Sequence, residues 1–368
     1  MSHTKGVIDE VLEKIYDELK IYAKISKPGV LNANLYQYLR YYIGYNYNSS
    51  IFKILQNLKR YKLINKYYYK NNDKLFCIEF YNFLINNLSN FDEFYEMLED
   101  DESKKDYDWA VKYRITYAFL SAEIAYNLFT PRISKEYYYK ISKSVKYKYS
   151  NFYYTIEGEN IKISKIDFLS FINTFIIEQY RLPGLLQPTS GDTVLDIGAC
   201  YGDTSLWFLK YIGDKGKVYA FEPINENFKK ILKNIKINEV NNIFPFKIAI
   251  DERETAVSFL NKGGGSFLVD YNKGNIDAKT TTIDKFINDN KVSHVDFIKM
   301  DIEGAELRAL NGSINTIKQF KPKLAICIYH KIDDFITIPA LIKTFDKNYK
   351  FYLRHNSMGL DDTILYVV

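Results

Sequence analysis

Apolar positions recur at helical spacing through the first part of the chain. Val7, Ile8, Val11, Leu12, Ile15 and Leu19 share one face of a helix predicted over 6–25, and Pro28-Gly29 ends it. The same periodicity predicts helices over 35–42, 51–63, 74–88 and 91–98. A long one is predicted over 109–128, stopped by Thr130-Pro131. Residues 132–165 are transitional, and the polar run Glu157-Gly-Glu-Asn160 reads as a turn between short strands.

From Asp167 the pattern changes. A helix near 168–179 leads to Leu182-Pro-Gly, and short apolar runs then alternate with amphipathic ones. Strands are predicted at 194–197, 217–221, 244–248, 257–260, 295–300, 323–328, 349–353 and 363–367, with helices at 204–211, 226–237, 282–288, 305–319 and 336–345. Such alternation implies an α/β fold, a mostly parallel sheet with helices on both faces. The predicted organisation is a mainly helical accessory domain over 1–150 and an α/β domain over 151–368.

Three segments of the second domain carry chemistry. In Thr193-Val-Leu-Asp-Ile-Gly-Ala-Cys-Tyr-Gly-Asp-Thr204 an apolar strand ends in Asp196, and a turn holding Gly198 and Gly202 leads into a helix. Glycines there let a ligand approach the backbone at the mouth of the sheet. The spacing is not G-x-G-x-x-G, and Cys200 stands where many such loops have a glycine. An acid before the turn suits a cationic ligand tail such as the amino group of a methionine moiety, and Asp203 at the helix start disfavours phosphate. Glu222, in Ala220-Phe-Glu-Pro223, ends the next strand, the position from which an acid grips a ribose diol. In Phe297-Ile-Lys-Met-Asp-Ile-Glu-Gly-Ala-Glu306, Asp301 closes a strand, and Glu303 and Glu306 open a helix whose dipole also suits them.

Composition narrows the setting. Over 368 residues, 47% are hydrophobic and 26% charged, as in a globular protein. The abundance of Tyr, Lys, Asn and Ile is what an AT-rich genome produces, so single tyrosines carry little weight. Three scattered cysteines, Cys77, Cys200 and Cys327, form neither a disulfide framework nor a zinc cluster. No apolar leader follows Met1, and the most apolar long stretch, 109–129, includes Lys112, Arg114 and Glu123. A cytoplasmic protein without a transmembrane segment is expected. The net charge of +5 comes wholly from the first 150 residues. Between Tyr36 and Asn72 there is no acid, while Arg40, Lys53, Lys59, Arg60, Lys62, Lys66 and Lys70 alternate with tyrosines, and 137–148 is similar. Such a pattern suits stacking on sugars or bases with phosphates nearby, or a peripheral membrane contact. It equally suits a helical cap or homodimerisation domain whose tyrosines pack internally.

Together, Val194–Asp203, Ala220–Pro223, Thr282-Ile-Asp284 and Ile298–Glu306 resemble the FkbM family of methyltransferases, and Ile328-Tyr-His-Lys331, Ile338-Pro339 and Leu353-Arg-His355 are similar to one of its branches. The resemblance covers about 168–368. It implies a class I methyltransferase fold, Rossmann-like with a seven-stranded sheet, and S-adenosylmethionine-dependent O-methylation of a sugar or glycan hydroxyl, the acceptor being nucleotide-linked, lipid-linked or polysaccharide and in some cases anionic. On its motifs, Asp196, Gly198, Ala199, Gly202, Glu222, Ala249 and Asp301 are expected to bind the cofactor, and Asp301, Glu303 and Glu306 form an acidic signature.

Methylating a hydroxyl requires in-line approach and a way to take up its proton. His330, after a buried run at a strand's carboxyl end, is the first candidate for the base, acting with Asp301 and Glu303 as the catalytic group. His355 and Lys299 are weaker candidates, and Lys331 could meet an anionic acceptor. No metal is required by this scheme, although Asp301 and Glu303 could hold Mg²⁺. The loop Gly263-Gly-Gly-Ser266 is a candidate lid. A nucleic-acid methyltransferase and a non-catalytic binding module are the alternatives. The first lacks an Asn-Pro-Pro-Tyr-type motif, so no nucleic acid is expected. The second leaves the joint presence of Asp196, Glu222 and Asp301 without a purpose.

Overall fold

A computed structural model of the chain describes residues 2–26, 72–144, 147–150, 153–156, 161–164, 166, 168–260, 267–269, 274 and 276–368. The helices expected over 35–42 and 51–63, the basic tyrosine-rich stretch they belong to, the turn at 157–160 and the loop 263–266 lie outside the described residues. The chain divides into two compact units, Met1–Ser134 with Leu353–Thr363, and Lys135–Tyr352 with Ile364–Val368.

The first unit contains helices α1 (His3–Ser26), α2 (Asn72–Asn86), α3 (Leu88–Met97), α4 (Asp101–Phe119) and α5 (Ala122–Leu128). α1 packs Val7, Ile8, Val11 and Ile15, and α2 packs Cys77, Ile78, Phe80 and Leu84, into a core shared with α4. The single helix expected over 109–128 is two. Leu120 leaves helical geometry, and the Ser121 side chain accepts from Ile124 N, so it caps a new helix. The return segment 353–363 belongs here because its polar groups are paired by α4. Arg354 donates to both carboxylate oxygens of Asp100, the N-cap of α4, and His355 N donates to Asp106 Oδ2. No local pattern in the sequence announces that pairing. No described helix is long and apolar enough to cross a membrane.

In the second unit, α6 (Lys135–Ser144) precedes a three-stranded antiparallel sheet of β1 (Tyr147–Ser150), β2 (Tyr153–Ile156) and β3 (Lys162–Ser164). The boundary expected at 150 therefore moves to 134. The physical reason is Tyr138 on α6, whose hydroxyl donates to Asn173 Oδ1 at 2.6 Å. Asn173 opens a π-helical turn, Asn173–Ile177, that continues α7 (Phe168–Ile172).

The large sheet uses β4 (Thr193–Ile197), β5 (Lys217–Phe221) and β6 (Ile243–Phe246) on one side. A four-stranded sheet, ordered β7-β10-β8-β9, intervenes in sequence: β7 (Ala249–Ile250), β8 (Ala256–Leu260), β9 (Phe267–Val269) and β10 (Ile276–Thr281). Then come β11 (Phe297–Met300), β12 (Lys323–Cys327), β13 (Phe351–His355) and β14 (Thr363–Val367), giving the order β13-β14-β12-β11-β4-β5-β6. The pairs β4–β5, β5–β6, β4–β11 and β11–β12 are parallel, and β12–β14 is antiparallel. This is the mostly parallel seven-stranded sheet expected from the resemblance. Its central strands are fully buried at Val194, Leu195, Ile298, Met300, Leu324 and Ile326, as expected for strands covered on both faces.

The connecting helices are α8 (Asp203–Ile212), α9 (Asn225–Asn238), α10 (Ile283–Asp289), α11 (Glu306–Asn311), α12 (Ile314–Phe320) and α13 (Asp334–Lys343). α11 and α12 replace the single helix expected over 305–319. The break falls at Gly312, where a Cβ would stand 2.3 Å from the carbonyl oxygen of Asp251.

Candidate active site

The carboxyl ends of β4, β5 and β11 open onto a cleft with about 560 Å³ of empty space. Its polar wall is Glu222, Asn227, Asp301 and Glu303; Phe221, Ile224, Ile250 and Phe259 give the apolar one. Parallel α/β sheets bind ligands at this edge because the connecting loops all diverge there.

Three of the expected cofactor residues do their work beneath the cleft. Asp196 is fully buried and does not line it; its Oδ2 accepts from Thr204 Oγ1 at 2.7 Å and Ser205 Oγ at 2.6 Å. The β4–β11 register sets Asp196 opposite Lys299, and Nζ lies 3.3 Å from Oδ1 while donating to Gly198 O at 2.7 Å. Burial disfavours the Lys299 charge, but Asp196 and Asp301 outweigh it and raise the pKa above that of an ordinary lysine. Lys299 is thus a fixed cation, not a base. Gly202 caps α8 at φ 79°, and a Cβ there would meet Ile231 of α9 at 3.3 Å, so the glycine serves helix packing. Ala199 is buried, its N–H donating to Phe221 O alongside that of Gly198.

Gly198, Glu222, Ala249, Asp301 and Glu303 do line the cleft. Glu222 is 5% exposed, and its Oε1 accepts from Ile224 N at 2.8 Å. Burial pushes its pKa up to about 7, against the hydrogen bonds that favour the carboxylate. Asp301 Oδ2 accepts from the Tyr180 hydroxyl at 2.9 Å. Burial opposes its charge, yet Lys299 and His330 hold its carboxyl below the usual range. Cys200 and Glu303 both carry left-handed backbone, φ 46° and 56°, an uncommon state for side-chain-bearing residues that recurs at functional loops. Burial also pushes the Cys200 thiol well above its ordinary value, which makes it an inert wall.

His330 sits behind this wall. Its side chain is 8% exposed, and it is absent from the cleft lining. Nδ1 lies 2.9 Å from Glu306 Oε1, and Nε2 lies 3.5 Å from Asp301 Oδ1 and 3.7 Å from Glu303 Oε2. Burial lowers the pKa of the ring, but the three carboxylates prevail and bring it up to about 10. The ring is therefore protonated near neutrality, which departs from the free base expected of it. His355 belongs to the first unit, where its ring lies 4.1 Å from that of Trp109 and Nδ1 is 2.9 Å from Thr363 Oγ1. Burial there depresses its pKa well below 6.5, the mark of a packed core histidine. Lys331 is exposed and lays its stem along Gly304.

With this geometry in place, the comparison with known proteins is direct. Residues 196–355 match the methyltransferase FkbM domain. The match covers 160 of the 368 residues. Hexuronic acid methyltransferase AglP of Haloferax volcanii is 26% identical over 145 residues, which are 38% of this chain and 58% of that protein. The crystal structure of methyltransferase FkbM from Methylobacillus flagellatus KT superposes with a TM-score of 0.55 at 20% identity, covering 85% of this chain and 65% of that one. In both comparisons the match spans less than two thirds of the relative's own length.

The cleft fits S-adenosylmethionine by the chemistry of its wall. An apolar slot with a buried strand-end glutamate suits an adenosine, and the carboxylates of Asp301 and Glu303 suit a cationic sulfonium and amino group. Several of these residues carry no motif. Phe259 and Ile250 reach the cleft from the small second sheet, and Phe259 forms one buried cluster with Ile224, Ala249 and Val257. Only the apolar character of those strands could have signalled it.

Proposed function

We propose that the chain is an S-adenosylmethionine-dependent O-methyltransferase acting on a hydroxyl of a sugar or glycan. The observation that carries this reading is the joining, in one cleft, of a buried strand-end glutamate with a carboxylate pair at the next strand but one. Glu222 would hold the ribose diol, Phe221, Ile250 and Phe259 the adenine, and Asp301 the positively charged methionine end. When bound, the cofactor supplies an electrophilic methyl group on a sulfonium. Gly198 and Ala249 contribute close backbone and a small side chain to the same wall.

The residues of the chain then orient the acceptor and take its proton. Glu303, on strained backbone at the cleft, accepts the hydrogen bond of the acceptor hydroxyl and receives its proton as the new C–O bond forms. Asp301, anchored by Tyr180 and by the charge of Lys299, fixes the geometry. His330, protonated behind both, offsets their negative charge. The kinship with a hexuronic acid methyltransferase supports a carbohydrate acceptor, and an anionic one suits the exposed Lys331. The helical first unit would recognise the acceptor or join two copies of the chain.

Incubation with methyl-labelled S-adenosylmethionine and separate pools of uronic acid glycosides, neutral glycans and RNA tests the reading. Label is expected in a saccharide as an O-methyl ether. Label in RNA, or none in any pool while S-adenosylhomocysteine binds, would overturn it.

A further inference from the structure

Behind the cleft wall, Asp301, Glu306 and His330 each present one ligand atom, all within 4.8 Å of one another. We infer that these three side chains form a binding site for a divalent cation of the Mn²⁺ or Zn²⁺ type. Carboxylate oxygens and an imidazole nitrogen bind such ions at about 2.0–2.2 Å, so ligand atoms on a shared ion stand roughly 3–4 Å apart. The separation of 3.5 Å between His330 Nε2 and Asp301 Oδ1 is of that size.

The proximity of acids alone would not carry the assignment. The second observation is a set of buried polar atoms without a well-directed hydrogen bond. The nitrogens of His330 meet only carboxylates, Glu306 at 2.9 Å and Asp301 at 3.5 Å, and neither contact has hydrogen-bond geometry, although the side chain is 8% exposed. Glu306 Oε2 is equally without a partner, in a side chain with no exposure. A buried, unsatisfied carboxylate oxygen beside an unsatisfied imidazole is costly unless a further group completes both.

The supports of these side chains are of the kind that orients metal ligands. Each carboxylate spends one oxygen on a protein donor and leaves the other to the cluster. Asp301 Oδ2 accepts from Tyr180, and Glu306 Oε1 accepts from Ile302 N at 2.8 Å. The three ligands come from the end of β11, the first turn of α11 and the loop after β12, so the fold holds them before any ion arrives. Glu306 therefore replaces Glu303 in the pairing expected from the sequence. Two carboxylates cancel the charge of a divalent ion, which on binding displaces to solvent the proton that His330 otherwise carries, and the nitrogen ligand favours Mn²⁺ or Zn²⁺ over Mg²⁺, which prefers oxygen alone. Asp301 lines the cleft, so an open coordination position there would face the acceptor; resting on the proposed function, an acceptor hydroxyl bound to the ion would become more acidic and pass its proton to Glu303.

The test uses the full chain, stripped with EDTA and titrated with MnCl₂ alone while free Mn²⁺ is followed by electron paramagnetic resonance. One ion per chain is expected, with affinity falling at least tenfold in Glu306→Gln and in His330→Ala. Because either variant could misfold, pulsed measurement on the wild type supplies a second readout, in which a ¹⁴N modulation on bound Mn²⁺ reports an imidazole ligand directly. No uptake by the wild type up to millimolar Mn²⁺, uptake without nitrogen modulation, or uptake unchanged in both folded variants would each overturn the site. Neither cofactor nor acceptor takes part, so a failure of sugar methylation and a failure of this site are read separately.

Discussion

Gly198 and Asp301 meet across the parallel pair β4–β11 so closely that a Cβ on residue 198 would stand 1.8 Å from the Asp301 carbonyl oxygen. Asp301 N donates to Ile197 O at 3.1 Å, which locks the two strand ends together. Backbone at φ 81° adds a second reason for glycine.

Gly198→Ala should therefore push β11 away and displace the Asp301 carboxylate with it. Combined overpacking and left-handed strain amount to about 3 kcal/mol or more. Urea unfolding should show that loss, together with weakened S-adenosylhomocysteine binding. A variant as stable as the wild type would mean that the strand ends separate without cost.

Lys299→Met should be worse than its removal of one charge suggests. The lysine is buried, and its loss leaves Asp196 with two hydroxyl donors and no counter-charge. Breaking a buried pair from one side costs roughly 3–5 kcal/mol. The double variant Lys299→Met with Asp196→Leu should recover part of it. A double variant no more stable than the single one in urea titration would show that the pair is not the source of the loss.

How much of this was legible in the sequence follows from how local each feature is. The seven strands of the large sheet and the acids at their ends follow from apolar periodicity and short motifs, so Glu222 and Asp301 could be placed on one rim. The role of Asp196 could not, because its partner Lys299 lies on another strand and only the register brings them together. The same holds for Gly198, whose neighbour is the backbone of residue 301, not a ligand. His330 was recognisable as a strand-end histidine, but its protonation depends on Glu306, which stands at the start of α11 on a different segment. The return of 353–363 to α4 rests on ion pairs some 250 residues apart in sequence.

Those ion pairs give the first unit a distinct acid response. Burial works against the Asp100 charge, but the bonds from Arg354 and Ser103 win and bring its pKa down to about 2. A depressed carboxyl contributes stability that is present above its unfolded value, near 4, and is lost as pH falls through the folded one. Asp100→Asn should thus be less stable than the wild type at pH 6, and the two should converge between about pH 4 and pH 2. The group is partly exposed, so solvent screening keeps the gap modest. Acid titrations followed by circular dichroism would show it, and a gap that stays constant to pH 2 would contradict the pairing.

Glu222 behaves in the opposite sense, and this separates its structural cost from its purpose. Its folded pKa of about 7 lies above the ordinary 4.5, so the folded state binds the proton more tightly than the unfolded one. Stability from this group is present in full at low pH and declines as pH rises from about 4.5 to about 7, beyond which the penalty is constant. Glu222→Gln has no such titration. The variant should match the wild type near pH 4 and exceed it above pH 7, by roughly 2 kcal/mol or a few °C in melting temperature. Its affinity for S-adenosylhomocysteine should fall at least tenfold at the same pH, because a neutral amide accepts ribose hydroxyls less well than a carboxylate. A variant that is more stable and binds less is what a residue kept for its ligand looks like. One that is more stable and binds equally well would remove Glu222 from the cofactor site.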